Sequence, residues 1–363
     1  FAMAGYCQGL QRLGDEAAER LRAEEPHLQA IATAGLIDPD FFGGAHLGEP
    51  RLLAGLFLRQ WERRLGPRLP FPGFHPGIYR EQSGSQGDGF CAWLAAGQPE
   101  GPWSVPVIRC NSAGSPPEPA PAPLSLGLHL HVFYPELLPE LLLRLGHNRC
   151  RPQLILTLPE GVNQGLVEQL LAEAGHHNAE LRHTPNVGRD IGPLLVDLGV
   201  ELEERFDVHG HLHSKRSELV DGGVARRWRT FLLSNLLGQP QQPMLDAIQT
   251  AFSADPQLGL VFAEDPNAVG WSANLPVAEA LAPRLGLATP LPRQLRFPVG
   301  TMFWARRGAL SQLYGLGLGW HDLPPEPLGY DGSLLHAVER LLPLVAEQAG
   351  YGLAVTHVPG LSR

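Results

Sequence analysis

A chain of 363 residues, 44% hydrophobic and 18% charged, can bury a substantial core and has room for one large domain with a smaller one, or for two of middle size. Its formal charge of −9 argues against a general binder of nucleic acid or of anionic membrane, because such partners are held by a basic surface that displaces their counterions. An anionic ligand must therefore meet a local basic cluster.

The start, FAMAGYCQGL, lacks the basic-then-apolar layout of a signal peptide, and Phe1 in place of Met points to a piece of a longer, multidomain polypeptide. No run approaches the roughly 20 apolar residues that span a bilayer, so any membrane contact is expected to be peripheral. GDEAAERLRAEEPHLQAIATAGL and EPRLLAGLFLRQWERRL carry apolar residues at helical spacing, and residues 1–110 read as a mainly α-helical accessory domain. Residues 73–103 form a compact turn-and-helix unit anchored by Phe74, Tyr79, Phe90 and Trp93. Residues 111–125, NSAGSPPEPAPAPLS, are a proline-rich linker in which neither helix nor ladder hydrogen bonding persists. Cys7, Cys91, Cys110 and Cys150 are far apart with no CxxC pair, which indicates neither a zinc cluster nor a disulfide framework and suits a reducing cytosol.

From residue 126 to 363 the pattern alternates: LGLHLHVFY (strand), PELLPELLLRLG (helix), PQLILTLP (strand), NQGLVEQLLAEAG (helix), AELRHTP (strand), DIGPLLVDLGVELEERF (helix), DVHGHLHS (strand). That order implies βαβ crossovers and an α/β fold with a mostly parallel sheet covered on both faces. FPVGTMFWA is a further strand, and a helix begins at Asp331 in YDGSLLHAVERLLPLVAEQAG. Ligands of such sheets sit beyond the carboxyl ends of the strands, which here carry Phe133 and Tyr134, Asn186 to Asp190, and His213 to Arg216.

Three of these stretches bear chemistry. In HGHLHSKRS a period of two puts His209, His211 and His213 on one face of a strand. Three imidazoles can ligate a metal, yet alternate positions on one strand span too far to converge easily on one ion. Lys215 and Arg216 beside a divalent cation are unfavourable unless an anion lies between, whereas they suit a diphosphate. Hydrogen-bonded core or rim histidines are the plain alternative. In NVGRDIGPLLV, Asp190 stands where a helix N-cap belongs, and Arg189 beside a helix N-terminus makes a ready anion site with Asn186 near it. In YDGSLLHAVERLL, Asp331 likewise stands at an N-cap position, where the helix dipole keeps a carboxylate ionised as a general base requires. His336, Glu339 and Arg340 occupy its less apolar side, as a solvated face or an internal salt bridge. Phe303 or Trp304 can wall a sugar ring, though most of the aromatics in RFPVGTMFWARRGAL read as core.

The stretches HLHVFYPELLPELLLRL, NVGRDIGPLLV, FDVHGHLHSKRS, WRTFLLSNLLG, FPVGTMFWAR and DGSLLHAVERLLP, in this order across about residues 128–355, resemble the rhamnan synthesis F family of bacterial polysaccharide glycosyltransferases. The resemblance implies a GT-A-like nucleotide-sugar fold and transfer of a deoxyhexose, typically rhamnose from dTDP-rhamnose, onto a growing surface glycan, free or lipid-linked. The cytoplasm, at the inner face of the cell membrane, is the expected setting. Many GT-A enzymes hold a divalent cation with an Asp-x-Asp pair; the corresponding stretch here is HLHSKRS, which has none. No divalent metal or other cofactor is therefore expected, and cationic side chains neutralise the leaving diphosphate. On this reading Asp331, His213 and Lys215 are catalytic. His131, Phe133, Tyr134, Asn186, Gly188, Arg189, Asp190, His211 and Arg216 bind the donor. Gly300, Thr301, Trp304, Glu326 and His336 meet the acceptor. Direct displacement inverts the anomeric centre with one base. Two other readings stand beside it: a metal-dependent hydrolase built on His209, His211 and His213 with Asp207 or Asp190, and a glycan-binding module without turnover.

Overall fold

The structure, a computed structural model, describes residues 24–64, 66–110, 124–214, 222–329 and 331–361. Lys215 and Arg216 lie outside the described residues. The chain divides into two units, one of residues 1–104 with 266–268, the other of residues 105–265 with 269–363. No helix among the described residues is long and apolar enough to cross a membrane.

In the first unit, α1 (24–34), α2 (Pro39–Phe42), α3 (Pro50–Arg63), α4 (Pro76–Ser83) and α5 (Gly89–Ala95) follow one another. Proline opens α2, α3 and α4, where its fixed φ suits the first turn and its missing N–H is no loss. Asp38 and Asp88 cap α2 and α5 with their carboxylates. The four aromatic anchors Phe74, Tyr79, Phe90 and Trp93 are all buried, packed with Ile31, Phe42 and Phe57. Residues 266–268 complete this unit through two backbone bonds, Leu69 N to Pro266 O at 2.7 Å and Ala268 N to Pro67 O at 2.8 Å.

The second unit is built on β1 (Val107–Ile108), β2 (Leu126–His131), β3 (Gln153–Pro159), β4 (Glu180–Thr184), β5 (Val208–His213), β6 (Leu258–Ala263), β7 (Phe303–Arg306) and β8 (Gly352–Thr356). They form one sheet in the order β1-β8-β6-β7-β5-β2-β3-β4, parallel throughout except for β7, which runs antiparallel to both β5 and β6. Val107 and Ile108 thus join the sheet from ahead of the proline-rich segment, pairing with β8. β2, β5 and β6 are buried at every position, as a sheet covered on both faces requires.

Alternation sorts the side chains to the two faces. Leu128, Leu130, Leu156, Val208, Leu212 and Trp304 pack with α6 (Leu138–Gly146), α7 (Gln164–Glu173), α10 (Gly222–Leu236) and α11 (Met244–Ala254). The opposite face meets α8 (Ile191–Pro193), the π-turn Leu194–Leu198 and α9 (Gly199–Arg205), with α12 (Leu275–Leu281), α13 (Ser311–Tyr314) and α14 (Leu334–Gln348). The histidines of β2 and β5 lie on this second face. Gly210 lets Trp304 close in: a Cβ there would stand 2.8 Å from the indole ring and 2.9 Å from Leu128.

Two expectations need correcting here. The strand expected over residues 297–305 forms only from Phe303, because Gly300 (φ 87°) and Thr301 (φ 56°) turn the backbone out of the extended region. The last helix begins at Leu334 with Ser333 as its N-cap, so Asp331 is not the capping residue.

Candidate active site

The chain steps outward from β2 to β3 and β4, then returns to lay β5 on the other side of β2. The first two crossovers, α6 and α7, lie on one face and the third, α8 to α9, on the other. A sheet with this reversal opens a crevice at the carboxyl ends of the two strands flanking it. Those ends are tied together by the Tyr134 N–H, which donates to Ser214 Oγ at 2.8 Å. Phe133 is 41% exposed, with its ring 4.8 Å from that of Tyr134 in an edge-on arrangement. Asn186 is exposed in the loop after β4.

Beneath this rim the parallel register sets His129 beside His211 and His131 beside His213. His129 and His211 meet through their Nδ1 atoms at 2.9 Å, so one of the two carries the shared hydrogen. The Thr157 hydroxyl lies 2.8 Å from His129 Nε2 and 2.9 Å from His131 Nδ1, donating to one and accepting from the other. His211 Nε2 reaches Asp190 Oδ2 at 3.4 Å, and His213 Nε2 stands 3.6 Å from it while donating to the Gly300 carbonyl at 2.8 Å. His209 turns to the Tyr314 hydroxyl at 2.8 Å. Asp190 occupies the N-cap position of α8 but makes no capping bond, its carboxylate being turned to these imidazoles.

The electrostatics follow from burial. Desolvation holds His131 and His209 down to about 3 and His129 well below the ordinary histidine range, with neighbouring imidazoles adding to the effect. Burial alone would raise Asp190, but His213, His211 and His131 outweigh it and keep the carboxyl ionised. The cluster is thus one buried, ionised carboxylate facing His211 and His213, with His129, His131 and His209 held neutral by burial. The three β5 histidines share a face as expected, but His209 turns to Tyr314 while His211 and His213 face Asp190. No group of three His, Cys, Asp or Glu side chains among the described residues is placed to hold a metal.

Around the rim, Gly188 (φ 73°) and Arg189 (φ 52°) make a left-handed pair; a Cβ at Gly188 would stand 2.5 Å from Leu323. Arg189 Nε donates to Glu326 Oε1 at 3.0 Å, which joins an expected donor-side residue to an expected acceptor-side one. Gly300 is gripped from both sides, its carbonyl by His213 and its N–H by Glu339 Oε1 at 2.6 Å. Thr301 is buried beside it.

Asp331 accepts from Asn274 Nδ2 and from the Ala273 N–H at 3.2 Å, and Arg340 Nη2 stands 3.9 Å away. Partial burial raises its carboxyl, but these donors and the guanidinium more than offset that and lower it. Asp331 is therefore kept ionised by Asn274 and Arg340, not by a helix terminus. His336 lies on the same helix start, its Nδ1 2.8 Å from Ser333 Oγ. Trp304 is withdrawn from the acceptor side: it is fully buried, its indole N–H donating to Leu236 O at 3.1 Å, and Phe303 is equally buried. Glu339, Asn274, Thr157 and Ser214 belong to the network without having been singled out as site residues. Of these only Glu339 carried a sequence signal, as one of the polar residues on the less apolar side of its helix.

The family model described as rhamnan synthesis protein F matches residues 115–351. The chain belongs to that family. The match takes in the strands from β2 to β7 and all of α14, hence every described residue of the crevice and its rim. Two proteins of Xanthomonas campestris pv. campestris, strains B100 and ATCC 33913, each named "Uncharacterized protein WxcX", are similar at 38% identity over 182 residues. That stretch is 49% of this chain and 24% of each relative, so the chain spans about a quarter of their length. Membership of the rhamnan synthesis F family ties the chain to polysaccharide synthesis.

Proposed function

We propose that this chain is a glycosyltransferase with a GT-A-like fold, moving rhamnose or a related deoxyhexose from a nucleoside diphosphate donor, dTDP-rhamnose in the first instance, to a hydroxyl of a growing polysaccharide. What supports the reading is the reversal of strand order at β2/β5 in a chain of a polysaccharide-synthesis family, since Phe133, Tyr134 and His213 follow or end those strands and Asn186 and Arg189 follow β4.

The base and ribose lie by Phe133, Tyr134 and Asn186, and the diphosphate lies by Arg189, Lys215 and Arg216. His213 shapes the rim through Gly300, since its Nε2 hydrogen is already given to that carbonyl. Asp331, ionised at neutral pH, takes the proton of the acceptor hydroxyl. The freed oxygen forms a bond to the anomeric carbon. The bond from that carbon to the diphosphate breaks, its electron pair leaving on the phosphate oxygen, and the configuration inverts. Cationic side chains stabilise the departing charge in place of a metal, the reading favoured by the run HLHSKRS and its want of an acidic pair.

A panel of nucleotide sugars assayed for nucleotide release, with and without EDTA, tests this on the native chain and on Asp331→Asn. Release from dTDP-rhamnose that ignores EDTA and falls by roughly 10²- to 10⁴-fold in the variant is expected. Unchanged turnover in Asp331→Asn removes the base, and loss with chelator overturns the metal-free account.

A further inference from the structure

Glu339 and Arg340 are adjacent on α14, where neighbouring side chains diverge, yet Glu339 Oε2 and Arg340 Nη1 meet at 3.2 Å with both side chains largely withdrawn from solvent. A withdrawn ion pair loses its hydration and persists only if further bonds complete it. They are present. Arg340 donates to Gly270 O at 3.1 Å and His336 O at 3.0 Å, lies over the Phe297 ring at 4.8 Å, and directs Nη2 toward Asp331. Glu339 spends its other oxygen on the Gly300 N–H, and the same residue's carbonyl takes the His213 hydrogen. An unbroken line therefore runs Asp331, Arg340, Glu339, Gly300, His213, Asp190.

We propose that Glu339 and Arg340 are positioning residues that hold the acceptor-side carboxylate Asp331 and the donor-side His213 in one register through the backbone of Gly300. This rests on the role given above to Asp331, but the coupling itself is a property of the fold. Gly300 adopts its positive φ freely, but Thr301, a β-branched residue, also carries positive φ, a conformation that persists only where the surroundings impose it. The grip of Glu339 on one side and His213 on the other is what imposes it. Loss of Glu339 lets the turn relax, and with it the hydrogen-bond acceptor of His213. Arg340 divides its charge between Glu339 and Asp331, so removing the Glu339 charge leaves more of it on Asp331.

The test uses the full chain with ¹⁵N-labelled histidine, and the variants Glu339→Ala and Glu339→Gln, the second retaining a carbonyl to accept from Gly300. The His213 Nε2 resonance is expected to move in Glu339→Ala and to return in Glu339→Gln. In the transfer assay, Glu339→Ala is expected to lower kcat on the order of 10- to 100-fold with donor KM changed less than about threefold, as a displaced reacting group does. In Glu339→Gln the acid limb of the kcat profile is expected to shift to lower pH, because Arg340 then acts on Asp331 unshared. A merely structural fastening of α14 would lower thermal stability and leave the resonance and the acid limb in place; that result overturns the proposal. So does a moved resonance with unchanged kcat in an active chain. A moved resonance in a chain that releases nucleotide from no donor overturns the glycosyltransferase reading while the coupling stands.

Discussion

Trp304 shows how a residue's neighbours outrank its type. An aromatic after a Gly-Thr turn is a fair candidate for a sugar platform, but the pleat of β7 turns its ring into the core over Gly210. Trp304→Ala is expected to cost about 3–5 kcal/mol of stability in chemical denaturation, well beyond any change in acceptor KM. The buried histidines make a second prediction. His131 and His209 titrate at about 3 in the folded chain and near 6.5 when unfolded, so the unfolded state binds more protons between those values. Stability is then full above about pH 6.5 and falls as pH drops toward about 3, by up to ~1.4 kcal/mol per pH unit for each group. Asp190, whose folded value is depressed, adds its own loss only below about 3.9. Thermal melts from pH 7.5 to pH 5 check this, and His209→Gln is expected to flatten the slope. The three β5 histidines could be read onto one face from their spacing. Their partners could not, since Tyr314 lies 105 positions from His209, and His129, which meets His211, comes from a different strand.

At the scale of elements, β2 to β5 and the helices between them were legible because each carries a clear period and a turn signal. β6 and β8 were missed because LGLVFA and GLAVT are short apolar runs with nothing in their pattern to separate a strand from a buried helix segment. The start of α14 was misplaced for a different reason. Asp331 and Ser333 are both good N-cap types, and what decides between them is Asn274, brought from 57 positions away to occupy Asp331. Ser333→Ala is expected to cost about 1 kcal/mol by thermal melt, the usual worth of a capping hydroxyl. Across the crevice the loop carrying Glu326 is fastened to the Gly188 turn by the Arg189 pair, whose side chains are 45% and 40% exposed. A pair so exposed is worth about 0–1 kcal/mol and yields readily to a better anion. Glu326→Gln should therefore tighten binding of a nucleoside diphosphate by no more than about fivefold, and Arg189→Ala should weaken it, both read by calorimetric titration.

For the molecule as a whole, the alternation of strand and helix patterns made a parallel sheet covered on both faces legible over β2 to β5, but not the order in which those strands lie. The insertion of β7, antiparallel between β5 and β6, was not legible either, because nothing in FWAR states its direction. That reversed strand brings the Gly300 turn to the carboxyl edge of the sheet, where the ends of β5 and β6 also lie. The first unit, for its part, is finished by residues 266–268, supplied from a stretch 162 positions beyond Ser104. The polypeptide consequently passes from one unit to the other three times, not once. A fragment cut to begin at Val105 would strand the Pro266 carbonyl and the Ala268 amide that Leu69 and Pro67 now satisfy. Anyone seeking to dissect the two units by genetics must carry residues 266–268 with the first, and a fragment ending at Ser104 is expected to be less stable for lack of them.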